Sequence, residues 1–427
     1  MKTKPESIDS FQDVVRKLES LSIMPKTMPG LHKIEKALLR TDWFLKIDPN
    51  KVIVVAGTNG KGSTCAFLES LLLSAGQKVG FYSSPHLVST TERIRVGGQQ
   101  ISEKDFVTLY QQCEKWIVQD ELSHFEALTL MAGHFYFSSD WSQQLDFILF
   151  EVGLGGTFDA TNAFPHATSV ITALGLDHTH ILGASLTEVA ANKFGIVKKN
   201  NRVIHHPLPG EVSELQQAVQ KQTGSHWLQA ARGHATVVNS QWFLESNWGV
   251  APLSLAGDRA AQNAMTALTV FQSLGFQPEN HLLALNQTQW PGRMQKVKWP
   301  GLVCDLYLSG DHNPQGVQSL IEILNQMKWK TLHLLVGIGQ DKDAVEMLQH
   351  LVSLPNVILY LTVTPFKGRL LDDYPEEYRN RSAACDQDVV RLIDAVALKA
   401  TAGDLVLVTG SLYLVGEVLR KIAADEK

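Results

Sequence analysis

The chain has 427 residues, a length that favours two or three domains of roughly 100–200 residues each. Its 38 Lys and Arg against 43 Asp and Glu leave a formal charge of −5, so no strong positive field exists to hold a nucleic-acid backbone. With 44% hydrophobic and 19% charged residues it can build ordinary cores. The four cysteines (Cys65, Cys113, Cys304 and Cys385) form no close pair, which argues against a disulfide framework and a Cys-ligated zinc site. The opening residues lack the apolar stretch of a signal peptide, and no apolar run approaches the roughly 18 residues of a membrane span. The expectation is a cytoplasmic, multidomain protein with neither nucleic-acid nor membrane partners.

Residues 51–56 (KVIVVA) read as a buried strand ending in glycines. Residues 63–75 carry Phe67, Leu68, Leu71 and Leu72 at helical spacing and stop before Gly76, a C-terminal cap. Residues 79–82, 147–152 and 169–173 read as further strands. The stretch 207–255 is polar and reads as irregular. After Trp290-Pro291-Gly292 the pattern restarts, with strands expected at 302–308, 332–336, 357–363 and 405–408 separated by helical stretches. The alternation predicts an α/β protein with mainly parallel sheets. It divides into residues 1–290 and a smaller Rossmann-like domain, residues 291–427.

Gly57-Thr58-Asn59-Gly60-Lys61-Gly62-Ser63-Thr64 lies between the first strand and its helix. Backbone N–H groups in such a turn can wrap phosphate oxygens, and the helix N-terminus adds partial positive charge. Lys61 would neutralise terminal phosphates, and a following hydroxyl can reach Mg²⁺. Strict Walker spacing is not met, since Val55 stands five before Gly60 and Gly62 follows the lysine. A plain Gly-rich turn would need neither the lysine between two glycines nor the two hydroxyls after it. Glu151 interrupts an apolar strand just before Gly153-Leu-Gly-Gly156, a setting that suits a metal-side carboxylate. His178-Thr-His180 is too sparse for a zinc site, as no Cys or His cluster completes tetrahedral coordination.

Other runs follow in order: Tyr82-Ser-Ser84-Pro-His86, Glu92-Arg93-Ile-Arg95, Asp159-Ala-Thr-Asn162, Leu176-Asp177-His178-Thr179, Gln262-Asn263, Pro291-Gly-Arg293, His312-Asn-Pro314, Asp341-Lys-Asp343 and Thr409-Gly-Ser411. Together with the phosphate loop this ordered set resembles folylpolyglutamate synthase, including its bifunctional dihydrofolate synthase form, of the Mur ligase superfamily. The resemblance covers nearly the whole chain. It implies a P-loop Mur-ligase-like N-terminal domain, a Rossmann-like C-terminal glutamate-ligase domain, and a monomer. The implied reaction joins L-glutamate to dihydropteroate or reduced folates, with ATP first making an acyl phosphate.

The resemblance further implies site residues. Lys61, His178, Lys193 and His312 would serve the chemistry, and Ser84, Glu151 and His178 would lie at two Mg²⁺ positions. Lys193 falls where related enzymes carry a carbamylated lysine, although an exposed helical lysine is the plain alternative. Asn263 would lie near adenine, Arg293 and His312 near the phosphates, and Ser309 where an ATP-contacting aspartate is usual. Ser123 and Phe158 would fall on the acceptor side, with Glu126 behind Ser123.

Several positions depart from that pattern. The usual Asp-Gly-Ala-His-Asn-Pro becomes Ser309-Gly310-Asp311-His312-Asn313-Pro314, leaving open whether Asp311 supplies the carboxylate. Glu-Lys-Ala-Gly-Ile becomes Asn192-Lys193-Phe194-Gly195-Ile196, and Gly-Gly-Arg becomes Gly155-Gly156-Thr157. The pterin-side Leu-Gly-Leu-Glu-Arg becomes Pro29-Gly30-Leu31-His32-Lys33. Loss of the acidic residue at 32, replacement of an arginine fork by the Lys33 ammonium and loss of a cation at 157 predict weak dihydropteroate recognition. Two other readings stay open at this point: a ligase for a non-folate carboxylate, and a nucleotide-binding paralogue without turnover.

Overall fold

The structure, a computed structural model, describes residues 10–22, 30–141 and 144–425. Pro29 of the pterin-side run lies outside them. The chain forms two compact units. The first holds the chain up to Arg232 with Asn247–Gly249 and Gln262–Leu285; the second holds Gly233–Ser246, Val250–Ala261 and Asn286 onward.

The first unit is built on eight strands: β1 Val52–Ala56, β2 Val79–Tyr82, β3 Ile94–Val96, β4 Gln99–Gln100, β5 Phe147–Glu151, β6 Thr168–Ile171, β7 Arg202–His205 and β8 His226–Gln229. They are ordered β4-β3-β2-β5-β1-β6-β7-β8, with β3 and β4 antiparallel at one edge and the rest parallel. β1 lies between β5 and β6 and is buried along its whole length. Burial on both faces is why it reads as a continuous Val/Ile run rather than an alternating one. The register sets Val55 beside Glu151 and Ala56 beside Ile171, so three strands end together where loops carry the functional motifs. The helix Lys61–Ser74 follows β1, and Gly76 closes it in the left-handed conformation at φ +76.

The stretch 207–255, expected to be irregular, is instead largely regular: the helix Ser213–Thr223 and β8 lie in it, and residues 234–253 follow. They form an antiparallel sheet, β9 His234–Val238, β10 Gln241–Ser246 and β11 Gly249–Leu253. Asn239 and Ser240, both at positive φ, make the two-residue turn joining β9 to β10, the conformation that matches strand twist. β9 alternates exposed with half-buried positions and β10 is half-buried along most of its length, with Leu244 the buried residue of the two, so no fully buried apolar face marks these strands.

The second unit carries β12 Gln295–Val297, β13 Asp305–Ser309, β14 Leu332–Val336, β15 Val357–Leu361, β16 Ala384–Cys385 and β17 Leu405–Thr409. Their order is β12-β13-β17-β14-β15-β16, parallel apart from β12. The last strand inserts between β13 and β14, so the loops after these three strands open at a topological switch point. β13 begins later than the expected 302, because Gly301 at φ +75 and a turn from Leu302 N–H to the Trp299 carbonyl occupy the preceding residues.

Candidate active site

The phosphate loop leaves β1 through Gly57 and is tied to the segment after β6. Thr58 N–H donates to the Ala173 carbonyl at 2.8 Å, the Thr58 hydroxyl to Gly175 at 2.8 Å, and the Thr172 hydroxyl to the Asn59 carbonyl at 2.8 Å. Gly60 sits at φ +89, and a Cβ there would run into the Asn263 side chain. Gly62 and Ser63 are buried in the first helical turn. Lys61 Nζ donates to the carbonyls of Gly57 (3.1 Å) and Thr58 (3.3 Å), while Lys193 Nζ reaches the same Gly57 carbonyl at 2.9 Å. Lys193 is 3% exposed. Burial first, and then the Lys61 charge, pull its ammonium down to about 7, against the opposing pull of Asp177 and Asp159.

Glu151 is buried at the end of β5 and accepts from Ser84 N–H at 3.1 Å. The loop carrying Ser84 is shaped by the Glu92-Arg93-Ile-Arg95 run. Glu92 accepts from the N–H groups of Leu87, Val88 and Ser89 at 2.7–2.8 Å. Arg93 donates to His86 at 2.9 Å, and Arg95 pairs with buried Glu69. His178 has φ +50, a left-handed conformation that costs a non-glycine residue about 1–3 kcal/mol. Its N–H is held by the Asp177 carboxylate at 2.9 Å.

Asp159 organises the Gly-rich turn by accepting from Gly153, Leu154 and Thr161 N–H groups and from the Thr161 hydroxyl. Burial nevertheless pushes its carboxyl up. Thr157 N–H and hydroxyl both donate to the Asn192 carbonyl, at 2.8 and 2.9 Å. A Cβ on Gly156 would meet the backbone of Asn192 and Lys193, so the turn presses directly on the helix that carries Lys193. Phe194 packs edge-on against Trp227 with centroids 5.2 Å apart, which accommodates the bulk at that position. Lys193 is therefore buried, and the plain reading of an exposed helical lysine is excluded.

Ser123 caps the helix His124–Phe137, and its hydroxyl donates to Glu126 at 2.6 Å in a reciprocal capping box. Phe158, next in the chain after Thr157, is 43% exposed. Lys33 Nζ donates to the Glu121 carbonyl at 3.0 Å and lies 3.7 Å from its carboxylate.

In the second unit, His312 Nδ1 lies 3.0 Å from the Gly310 carbonyl, which also accepts from Arg293 at 3.3 Å. Ser309 is 1% exposed and donates to Asp311 Oδ2 at 2.7 Å. Asp311 Oδ1 accepts from Arg259 at 3.0 Å. Sequence reasoning singled out neither Arg259 nor Thr172, since nothing near them in the chain marks their partners. Asp343 caps the helix Ala344–Leu351, and Ser411 bonds Thr364 at 2.9 Å.

These residues fit a nucleotide triphosphate. Before any modification of Lys193, two lysine ammonium groups meet one carbonyl at a helix N-terminus, where Asp177 and Asp159 oppose part of their charge and a phosphate would add to that balance. Thr64 Oγ1 and Asn263 Oδ1 are buried with no hydrogen-bond partner, so both have capacity for a ligand. Among the described residues no group of three or more His, Cys, Asp or Glu could by itself hold a metal. A divalent ion beside Glu151 would draw on phosphate oxygens and water, the habit of Mg²⁺.

Comparison with known proteins follows the same line. The Mur ligase, glutamate ligase domain family matches residues 292–412. The chain is 31% identical to the dihydrofolate synthase/folylpolyglutamate synthase of Escherichia coli (strain K12), over 99% of this chain and 98% of the relative. The structure of E. coli FolC in complex with DHPP and ADP aligns with a TM-score of 0.84 at 29% identity, covering 99% of this chain and 100% of that one. A bifunctional folylpolyglutamate synthase/dihydrofolate synthase with Mn, AMPPNP and L-glutamate bound gives 0.82 at 28%, covering 98% and 99%. Likeness running end to end in both sequence and fold means that the chain belongs to the dihydrofolate synthase/folylpolyglutamate synthase family.

Proposed function

We propose that this chain is an ATP-dependent ligase that adds L-glutamate to dihydropteroate and to reduced folates. The observation that carries the reading is the pairing of Lys61 and Lys193 on one loop carbonyl, next to the strand end that bears Glu151. An acceptor carboxylate oxygen attacks the γ-phosphorus of ATP, ADP leaves, and an acyl phosphate forms. The glutamate α-amine then attacks the acyl carbon, the C–O bond to phosphate breaks, and the amine proton is lost. The protein's part is to position the reactants and to neutralise charge on the transferring group. Lys61 and the N–H groups of Gly60, Gly62 and Ser63 do the latter, Gly57, Thr58 and Asn59 forming the rest of the loop. Divalent metal, two Mg²⁺ ions in our reading, supplies further neutralisation beside Ser84, Glu151 and His178.

Lys193 is the residue we assign to carbamylation. Its depressed ammonium supports this, because only the neutral amine attacks CO₂, losing a proton to give an anionic carbamate. Asn263 is assigned to the adenine, Arg293 and His312 to the phosphates, and Ser309 to the nucleotide side. Ser123 and Phe158 are assigned to the acceptor. Residues 1–290 are taken as the ATP-binding part and 291–427 as the glutamate-ligase part, the family match over 292–412 supporting the second. We take the enzyme to be a cytoplasmic monomer. No helix among the described residues is long and apolar enough to cross a membrane.

The test is ADP release with purified protein, Mg²⁺, L-glutamate and a panel of dihydropteroate, tetrahydrofolate and non-folate carboxylates. Turnover should need both glutamate and a pteroate-type acceptor, with the glutamylated product seen by mass spectrometry. Turnover on a non-folate carboxylate alone, or none at all, would overturn the reading.

A further inference from the structure

Asp311 stands in a buried network that the phosphate-side reading of the 309–314 loop does not explain. Its carboxylate is 8% exposed, with Oδ1 on Arg259 and Oδ2 on the Ser309 hydroxyl. Arg259 also donates to the carbonyls of the segment that follows. Its Nη2 reaches the carbonyls of Gln315 at 3.3 Å and Gly316 at 2.8 Å. A planar fork of donors holds carboxylate and carbonyls from separate nitrogens in one fixed geometry, which a single ammonium nitrogen does not reproduce. The fit at Gly316 is close, since a Cβ would stand 3.1 Å from both Asp311 Oδ1 and Asn313 Oδ1. Asn313 in turn caps the helix Pro314–Leu324 by accepting from Gly316 N–H at 2.7 Å. Arg259 is itself anchored in the first turn of the helix Gly257–Ser273. Gly257 packs against Ile323, and Asp258 accepts from Ala235 N–H at 2.6 Å.

The geometry points to Arg259 as a positioning residue that fixes the His312 loop through Asp311, so that Asp311 is a counter-ion of Arg259 and not a ligand of nucleotide or metal. Both carboxylate oxygens are already engaged from inside the protein, and His312 is the next residue along the chain. Burial alone would raise the Asp311 carboxyl, but Arg259 and Arg293, with the Ser309 hydroxyl, hold it below its ordinary value. It is thus a permanent anion, matched to a permanent cation. The inference rests on the assignment of His312 to the phosphates.

The test compares Arg259→Lys, Arg259→Met, Asp311→Asn, His312→Ala and the Arg259→Met/His312→Ala pair. The readouts are kcat, KM for ATP, and backbone hydrogen exchange over residues 309–316. Arg259→Met and Asp311→Asn should each lower kcat about ten-fold with KM for ATP little changed. The double variant should be no slower than His312→Ala alone, because one loop carries both effects. Hydrogen exchange should quicken over 309–316 in Arg259→Met. If Arg259→Met fails to fold, Arg259→Lys is read by the same criteria, since it keeps the charge and loses only the fork. Multiplying losses in the double variant would overturn the inference. So would a rise in KM for ATP confined to Asp311→Asn, which would make Asp311 a nucleotide ligand. Full activity in His312→Ala would instead remove the assigned role of His312. Unchanged exchange over 309–316 would remove the positioning role of Arg259, so the two failures are separable.

Discussion

Lys61 and Lys193 aim their ammonium groups at the same atom, the carbonyl oxygen of Gly57, from 3.1 and 2.9 Å. One begins the phosphate-loop helix, and the other ends the helix Leu186–Phe194. A carbonyl carries only a partial negative charge, and in the unmodified protein the charges of Asp177 and Asp159 also act against the lysine pair. Burial chiefly, and then the Lys61 charge, lower the Lys193 ammonium, so the two lysines are electrostatically coupled.

Lys61→Ala should therefore abolish turnover while the protein remains folded, because the ammonium bonds loop carbonyls instead of packing in the core. The same change should raise the Lys193 ammonium by removing its neighbouring charge. Steady-state kinetics and a thermal melt check the first part; the pH dependence of Lys193 labelling by an amine reagent checks the second. Near-normal activity in a folded Lys61→Ala protein would exclude the phosphate-loop role.

Lys193 also makes a pH-dependent stability contribution of definite sign. Its ammonium titrates at about 7 when folded and at an ordinary value of 10.5 otherwise. Between these values the unfolded chain binds more protons, so stability from this group rises with pH across the window. Below about 7 both states are protonated and the full cost of the buried charge remains. Lys193→Met should flatten that rise and stabilise the ligand-free protein below the window while removing activity. Urea unfolding of both proteins below and within the window measures it. Parallel slopes would show that Lys193 is not the titrating group. Carbamylation is checked separately, by a ¹³CO₂-derived carbamate resonance that Lys193→Arg should eliminate.

Glu151→Gln isolates charge from shape. The amide oxygen can still accept from Ser84 N–H, so the end of β5 should keep its conformation. Without the carboxylate, the Mg²⁺ concentration for half-maximal activity should rise about ten-fold or more. An unchanged requirement would mean that Glu151 does not face the metal.

The parts of this site that the sequence disclosed are those whose chemistry is local. A fully apolar strand, glycines and a lysine at a helix start identify the phosphate loop by themselves, and Glu151 stands out as a charge on an apolar strand. Partnerships between distant segments were illegible. Asp159 reads as part of a motif, yet its work is to gather the Gly153, Leu154 and Thr161 N–H groups. Arg259 lies in an unremarked helix start, 52 residues from the carboxylate it neutralises. The β9–β10 hairpin is hard to read because its strands are half-buried at most and only Leu244 is fully buried, which weakens the apolar signal that marks a strand packed on a core.

Contact between Thr157 and Asn192 changes the expectation drawn from each alone. By resemblance, the family carries Arg at the first position and Glu at the second; here both are neutral. Thr157 N–H and hydroxyl meet on the Asn192 carbonyl, and the Asn192 amide donates to the Leu182 carbonyl at 3.0 Å. A cation and an anion are missing from two segments joined through the Asn192 backbone, so the losses offset in net charge and Thr157 by itself is not a reason for weak acceptor binding. Thr157→Arg alone should leave the KM for dihydropteroate unchanged or higher, since the new side chain must unseat the hydroxyl and crowd Gly195. Asn192→Glu alone should raise that KM, because it adds an unmatched negative charge near an anionic substrate. The double variant should recover most of the loss. Lys33→Arg should have no effect, as its charge is directed to Glu121. Steady-state kinetics with dihydropteroate and with a reduced folate across the four proteins decides it. A lower dihydropteroate KM from Thr157→Arg alone would show that the lost cation, not the balanced pair, governs acceptor binding.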